Sequence, residues 1–166
     1  MSKDKIYVAY GSNLNLLQMA QRCPTAKVLG TSEIRDYELL FRGSRTGYYA
    51  TVEPSEGKTV PVLLWSVKPQ DEKSLDRYEG YPLFYDKEAM TLSLGGKEVN
   101  AFVYVMNEGH QLGMPSQHYV DVIAEGYQSA GFDLNILQVA ITETAQRMSE
   151  EPEQQSMFGF GGMKWR

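Results

Sequence analysis

The chain has few of the residues on which disulfides, metal sites and histidine-based catalysis depend. It contains one cysteine, Cys23, and two histidines among its 166 residues. A single cysteine excludes an internal disulfide and is typical of a protein from a reducing compartment. The spacing of His110 and His118 matches no familiar metal-binding motif, and no EF-hand loop is present. The sequence therefore predicts no metal site.

Long apolar runs and an excess of basic residues are also missing. No stretch reaches the roughly 18 apolar residues of a membrane-spanning helix, and the first residues lack the pattern of a signal peptide. We therefore expect a cytoplasmic protein with no membrane partner. The net charge of −5 argues against nucleic acid as a partner, because phosphate binding needs a basic surface.

The hydrophobic pattern predicts a single α+β domain. Runs of β-branched and aromatic residues predict strands at residues 6–9, 27–30, 37–41, 49–52, 60–67, 85–94 and 99–106. Helical spacing predicts helices at residues 14–23, 69–78, 116–131 and 134–148. We expect a curved or barrel-like sheet with its helices mostly at the ends of the sequence. The domain is predicted to span residues 1–149, followed by a flexible tail rich in glycine and aromatic residues, 150–166.

Residues 10–14, Tyr-Gly-Ser-Asn-Leu, connect the first strand to the first helix. Such a turn can direct successive backbone N–H groups towards one point, in front of the positive end of the helix dipole. Gly11 permits close approach, and Ser12 and Asn13 add short polar side chains. The arrangement suits an anion smaller than a dinucleotide, since no glycine-rich nucleotide motif is present. The same residues are typical of an ordinary helix N-cap, and local features alone favour that interpretation.

Glu79 is the second candidate for a functional residue. It ends a predicted helix just before a glycine and a proline-bearing turn, among four aromatic residues: Tyr78, Tyr81, Phe84 and Tyr85. Partial burial among aromatic rings raises the pKa of a carboxyl from about 4.3 towards the range useful for proton transfer. A surface glutamate paired with Arg77 or Lys87 is the competing interpretation, which position alone favours.

Taken in order, these segments resemble the γ-glutamyl cyclotransferase-like family. The matching segments are residues 10–14, Gln18-Met19, Arg22-Cys23-Pro24, residues 76–82, Tyr104-Val-Met106 and Pro115-Ser-Gln-His-Tyr119. The resemblance covers roughly residues 5–140. Each motif is weak by itself, but the ordered set is specific, and it outweighs both competing local interpretations.

The resemblance implies a small mixed β-barrel flanked by helices, with a pocket at one barrel mouth. The implied activity releases an amine or amino acid from a γ-glutamyl compound, as the α-amine attacks the γ-carbonyl and 5-oxoproline forms. Glu79 is the implied catalytic acid and base, and no cofactor is implied. The residues implied to bind the small-molecule γ-glutamyl substrate are Tyr10, Gly11, Ser12, Asn13, Leu14, Tyr85 and Tyr119.

Two other classes of function fit the same resemblance. One is a non-catalytic module that binds a γ-glutamyl group or a small anion; Glu79 argues against it, because a carboxylate does not help to bind an anion. The other is an interaction protein that uses the tail. The family acts on γ-glutamyl amino acids, on γ-glutamyl-ε-lysine and on γ-glutamyl groups that protect an antibiotic precursor. We expect the choice among these to lie in residues 43–49 and 108–114.

Overall fold

The computed structural model describes residues 4–150, which form six strands and four helices. The strands are β1 (Lys5–Ala9), β2 (Lys27–Ser44), β3 (Gly47–Val67), β4 (Tyr85–Leu94), β5 (Lys97–Met106) and β6 (Gln111–Leu112). The helices are α1 (Leu16–Arg22), α2 (Pro69–Glu79), α3 (Gln117–Ala130) and α4 (Leu134–Met148). A short 3-10 turn, Ser12–Leu14, lies between β1 and α1.

The six strands form one mixed sheet in the order β4-β5-β1-β3-β2-β6. β1 runs parallel to β5, and all other neighbouring strands are antiparallel. The sheet curls into a half-barrel, and its inner face and the helices enclose one core. The predicted α+β class with a barrel-like sheet is thereby confirmed.

Two long strands, β2 and β3, replace the separate short strands predicted for this part of the chain. Pairing between them shifts register between Val28 and Gly30 and again between Arg35 and Tyr37. At the second shift Asp36 has a φ of 64°, in the left-handed region. An extra residue in one strand breaks the regular alternation of inward and outward side chains. The sequence pattern therefore resembles several short strands instead of one long bent hairpin.

Pro61 lies inside β3, although proline is disfavoured in the middle of a sheet. It lies opposite Glu33 of β2. On the other side of β3, the pairing with β1 ends where Ala9 lies opposite Leu63. The missing N–H of Pro61 can therefore fall on a side of β3 where no neighbouring strand needs it, which is the edge-like setting that proline tolerates.

The start of α3 and the ends of α2 and α3 follow the predicted signals. Ser116 caps α3, and its side chain accepts a hydrogen bond from the Tyr119 N–H at 3.2 Å. Gly131 ends the same helix with a φ of 79°. Gly80 ends α2 in the same left-handed conformation, with a φ of 69°. Since this conformation costs glycine little, each residue stops its helix without strain.

The predicted tail lies outside the described residues, apart from Glu150. The domain boundary at residue 149 therefore stays a prediction. Within residues 4–150, none of the helices combines the length and the apolar character needed to cross a membrane.

Candidate active site

A cavity of about 230 Å³ lies near the carboxyl ends of the parallel strands β1 and β5. Its wall also includes parts of β3 and β4, the 10–14 loop, the last turn of α2 and one side chain of α3. The lining contains seven tyrosines and one carboxyl group, that of Glu79. Among the described residues, no lysine, arginine or histidine lines it.

The 10–14 loop forms one wall of the cavity through Tyr10, Gly11, Ser12 and Asn13. The backbone N–H groups of the last three have no acceptor among residues 4–150, so they are available to a ligand. A Cβ atom at position 11 would lie 3.2 Å from the Ala50 Cβ. Glycine therefore lets the loop approach β3 closely, as the sequence predicts.

Asn15, not Ser12 or Asn13, caps α1. Its Oδ1 accepts a hydrogen bond from the Gln18 N–H at 3.1 Å, and its Nδ2 donates to Glu125 of α3 at 2.8 Å. The interpretation of Ser12 and Asn13 as an ordinary N-cap is therefore wrong. Their side chains are buried in the wall of the cavity, where they contact other polar groups.

Leu14, which was also predicted to bind substrate, does not line the cavity. Its N–H donates to the Gly11 carbonyl at 3.0 Å. Leu14 is fully buried against α3. A Cβ atom at Gly126 would lie 2.5 Å from the Leu14 Cβ, so only glycine allows this contact. Leu14 thus fixes the position of the loop on the core.

Glu79 is the last residue of α2, half-buried with its carboxyl group in the cavity wall. Burial raises the pKa of this carboxyl to about 8, and the positive charge of Arg22 partly opposes the increase. Among the described residues, neither Arg77 nor Lys87 pairs with Glu79, and Lys87 instead contacts Asp76 at 3.0 Å. The interpretation as an ordinary surface ion pair is therefore wrong.

Three of the cavity tyrosines direct their hydroxyl hydrogen atoms to protein acceptors. Tyr10 donates to the Tyr104 carbonyl at 2.6 Å, and Tyr104 donates to Asp76 at 2.6 Å. Tyr85 donates to the Ala50 carbonyl at 2.7 Å. Because these three hydroxyl hydrogens are already donated to protein acceptors, the three side chains can contact a ligand mainly through their aromatic rings.

Two other tyrosines keep hydroxyl hydrogen-bonding capacity for a ligand. The Tyr119 oxygen accepts the Ala50 N–H at 3.0 Å, so its own hydrogen remains to be donated. Tyr78 is 43% exposed, and its hydroxyl lies 2.8 Å from the Ser12 Oγ. Since one of these two hydroxyls donates to the other, the pair retains one hydrogen. The guanidinium of Arg22 stacks 3.5 Å from the centre of the Tyr78 ring.

Seven of the eight predicted site residues line one cavity, and Leu14 is the exception. Of the aromatic residues expected around Glu79, Tyr81 instead packs against Tyr104 outside the lining. Three further tyrosines line the cavity without having been predicted as site residues: Tyr7, Tyr49 and Tyr104. Tyr7 precedes the loop in the same strand, and Tyr104 lies in a segment that carries the family resemblance. These two positions could have indicated a site role for Tyr7 and Tyr104. No feature of the sequence indicated one for Tyr49.

The remaining candidate residues lie outside the site. Cys23 is buried against α2, where its thiol contacts the Asp71 carbonyl, and burial raises its pKa to about 11. His118 is exposed, and His110 packs edge-on against Phe84. No group of His, Cys, Asp and Glu side chains within residues 4–150 is arranged to hold a metal ion.

The cavity combines several hydrogen-bond donors with one group that can accept and return a proton. These donors include the three loop N–H groups and the hydroxyls of Tyr119 and of the Tyr78–Ser12 pair. They suit carboxylate and carbonyl oxygens. A carboxyl with a pKa of about 8 suits proton transfer near neutral pH.

The profile of the family described as "Gamma-glutamyl cyclotransferase, AIG2-like" matches residues 7–126 of the chain. The chain belongs to this family. The matched residues of this γ-glutamyl cyclotransferase family member include the 10–14 loop, Glu79 and Tyr119.

Relatives named gamma-glutamylcyclotransferase support an enzyme of this family. The protein of that name from Bos taurus is 30% identical over 138 residues, which cover 78% of this chain and 73% of the relative. The one from Homo sapiens is 28% identical over 138 residues, with the same coverage. A solved structure described as "Gamma-glutamyl cyclotransferase" superposes with a TM-score of 0.76 at 25% identity, covering 90% of this chain and all of that one.

Proposed function

We propose that the chain is a γ-glutamyl cyclotransferase in which Glu79 is the catalytic acid and base. The observation that carries the proposal is a half-buried carboxyl with a pKa of about 8, which lines one small cavity together with residues whose N–H and O–H groups have no acceptor among residues 4–150. Family membership agrees with this reaction.

The cavity matches a γ-glutamyl group in size and in polarity. At about 230 Å³ it is smaller than the roughly 300–1,000 Å³ typical of sites for drug-sized ligands. A γ-glutamyl group presents a carboxylate and a carbonyl, which need donors, and an α-ammonium, which needs an acceptor. The loop N–H groups and tyrosine hydroxyls supply the donors. Glu79 supplies the acceptor, and the departing amine is left to project through the mouth beside Tyr78.

Binding of the substrate ammonium favours the ionised form of Glu79, which is the form that can act as the base. With a pKa of about 8, Glu79 is mostly protonated at neutral pH in the empty cavity. A substrate ammonium next to it favours the carboxylate, because an opposite charge a few ångströms away lowers the pKa of an acid. The carboxylate can then take a proton from that ammonium and convert it into a nucleophile.

The reaction balances without a cofactor, an oxidant or water. A carbon–nitrogen bond forms between the α-amine and the γ-carbonyl carbon, and the bond from that carbon to the departing nitrogen breaks. Of the three hydrogens on the ammonium, one stays on the ring nitrogen of 5-oxoproline and two end on the departing amine. Glu79 transfers protons between the two nitrogens and is regenerated.

Most of the acceleration then has to come from holding the substrate in a folded conformation. Attack within one molecule, when well oriented, gains about 7–11 kcal/mol over the reaction between separate molecules. The rigid loop, fixed by Leu14 against Gly126 and by Asn15 against Glu125, is suited to hold the glutamyl end still. The proton transfers that remain need only one acid–base group, Glu79.

The test is a comparison of wild type with Glu79→Gln on γ-glutamyl amino acids, γ-glutamyl amines and γ-glutamyl-ε-lysine, with 5-oxoproline measured by mass spectrometry. We expect turnover by wild type and none by the variant. Glu88→Gln is the matched control, since Glu88 is an exposed carboxylate on β4 outside the cavity. It should retain full turnover.

Equal turnover by Glu79→Gln and wild type would refute the role of Glu79. A wild-type protein that binds γ-glutamyl compounds, measured by calorimetry, but turns over none of the panel would instead be a binding module. That outcome would refute the proposed reaction as a whole.

A further inference from the structure

Tyr7 is a cavity residue that the proposed mechanism does not yet use. It lies in the middle of β1, it is 3% exposed, and it lines the same cavity as Glu79. A buried phenol is commonly a structural group that donates to a backbone carbonyl, as Tyr10 and Tyr85 do here. The hydrogen bond of Tyr7 runs in the opposite direction.

The direction follows from Arg22. A guanidinium has only donors, so the side-chain atom of Asn13 that it contacts must be the oxygen, Oδ1. The other end of the same amide is therefore the NH2 group. This Nδ2 lies 2.9 Å from the Tyr7 hydroxyl oxygen and donates to it. Arg22 is held in turn by Gln18, whose Oε1 accepts from its second nitrogen at 2.6 Å.

The Tyr7 hydroxyl hydrogen is consequently left without a partner. Its oxygen is the acceptor in the bond from Asn13, and among residues 4–150 the Tyr7 hydroxyl donates no hydrogen bond to another group. A buried donor without a partner costs free energy unless a ligand accepts its hydrogen bond. Tyr7 lines the cavity, and an oxygen atom of a ligand bound there could accept this hydrogen.

Tyr7 also remains a donor under all ordinary conditions. Burial, and then the negative charge of Glu79, raise the pKa of its phenol well above the usual value of 10. Tyr7 and Glu79 also line the same small cavity. In the proposed reaction, the base and the attacked carbonyl must also lie within a few ångströms of each other.

We propose that Tyr7 is a further catalytic residue, which donates its hydroxyl hydrogen to the γ-carbonyl oxygen of the substrate. The inference rests on the proposed function. As the α-amine attacks, the carbonyl π electrons move onto this oxygen, and the hydrogen bond strengthens with the charge. When the bond to the departing nitrogen breaks, the electrons return to form the carbonyl of 5-oxoproline. Tyr7 keeps its proton throughout.

The test is Tyr7→Phe, assayed on the γ-glutamyl compound that wild type turns over fastest. Removal of one donor to a developing oxyanion typically lowers kcat by about 10²–10³-fold, and we expect a loss of that order. KM should change by less than about threefold, because an interaction confined to the transition state leaves substrate binding intact. Tyr127→Phe is the control. It removes a fully buried phenolic hydroxyl outside the cavity and should keep the wild-type kcat.

A second variant separates catalysis from support of the loop. If Tyr7 only holds the Asn13 side chain, Asn13→Ala should lose as much kcat as Tyr7→Phe. Under the proposal Asn13→Ala keeps the Tyr7 donor, so its kcat should exceed that of Tyr7→Phe at least about tenfold. Equal kcat values in the two variants would overturn the inference.

Two further outcomes distinguish failure of this inference from failure of the proposed function. A kcat of Tyr7→Phe within about threefold of an active wild type overturns the role of Tyr7 alone, since it falls outside the loss expected for an oxyanion donor. Absence of turnover by wild type on the whole panel refutes the proposed function, and this inference with it.

Discussion

Replacement of Glu79 by glutamine should make the protein more stable at alkaline pH, although it removes the proposed catalytic group. The folded protein holds the pKa of Glu79 at about 8, against an ordinary value of 4.5. Below pH 4.5 the folded and the unfolded chain both carry the proton. As the pH rises from there to 8, the unfolded chain releases its proton while the folded chain retains it, so the carboxyl destabilises the fold increasingly. Above pH 8 the destabilisation is complete.

The magnitude follows from the interval between the two pKa values. At about 1.36 kcal/mol per pH unit, it corresponds to at most about 5 kcal/mol. Glu79 is half-buried and faces a cavity that water can enter, so screening reduces the effect. We expect a net destabilisation of about 2–4 kcal/mol at pH 9. Glutamine has nearly the same shape as glutamate and does not titrate, so the Glu79→Gln variant lacks this destabilisation.

The assay is urea unfolding of wild type and Glu79→Gln at pH 5 and pH 9, followed by far-UV circular dichroism. The free energy of unfolding of the variant, relative to wild type, should rise by about 2–4 kcal/mol between the two pH values. The exposed Glu88→Gln variant should follow wild type. A difference between Glu79→Gln and wild type that stays constant with pH would refute the burial argument, and with it the mechanism by which Glu79 is tuned.

Two further predictions concern the site. In Gly126→Ala, the new Cβ atom would meet Leu14 at 2.5 Å, so we expect a loss of about 1–3 kcal/mol in urea unfolding and a raised KM as the loop shifts; unchanged stability and KM would contradict the packing argument. In the pH profile of wild type, kcat/KM should fall as the pH drops below about 8, because the base must be ionised in the free enzyme; a level profile from pH 6 to 9 would count against Glu79 as the base.

The parts of the site that share a short segment could be predicted from the sequence. The 10–14 loop combines a buried strand, a glycine and two small polar residues, and Glu79 combines a helix end with neighbouring aromatic residues. Each local pattern also fits a non-functional structure, an ordinary N-cap for the loop and a surface ion pair for Glu79. The order of several motifs along the chain favoured the functional interpretation. Asn15 could not be distinguished as the cap, because Ser12 and Asn13 have the same intrinsic preference for that position.

The rest depends on contacts between distant segments. Tyr7, Tyr49 and Tyr104 meet in one cavity only because β1 lies between β3 and β5 in the curled sheet. Leu14 was predicted to bind substrate because it belongs to the motif. The absence of a Cβ atom at Gly126, more than a hundred residues away, directs it into the core instead. The direction of the Tyr7 hydrogen bond requires the positions of Asn13 and Arg22.

The most direct test of the central claim is to follow the oxygen atoms of the product. Wild type is incubated with a γ-glutamyl compound in water enriched in oxygen-18, and the product is analysed by mass spectrometry. Intramolecular attack by the α-amine predicts 5-oxoproline without oxygen-18, formed by wild type and not by Glu79→Gln. Glutamate that carries one oxygen-18 atom would mean that water is the nucleophile, and it would contradict the account.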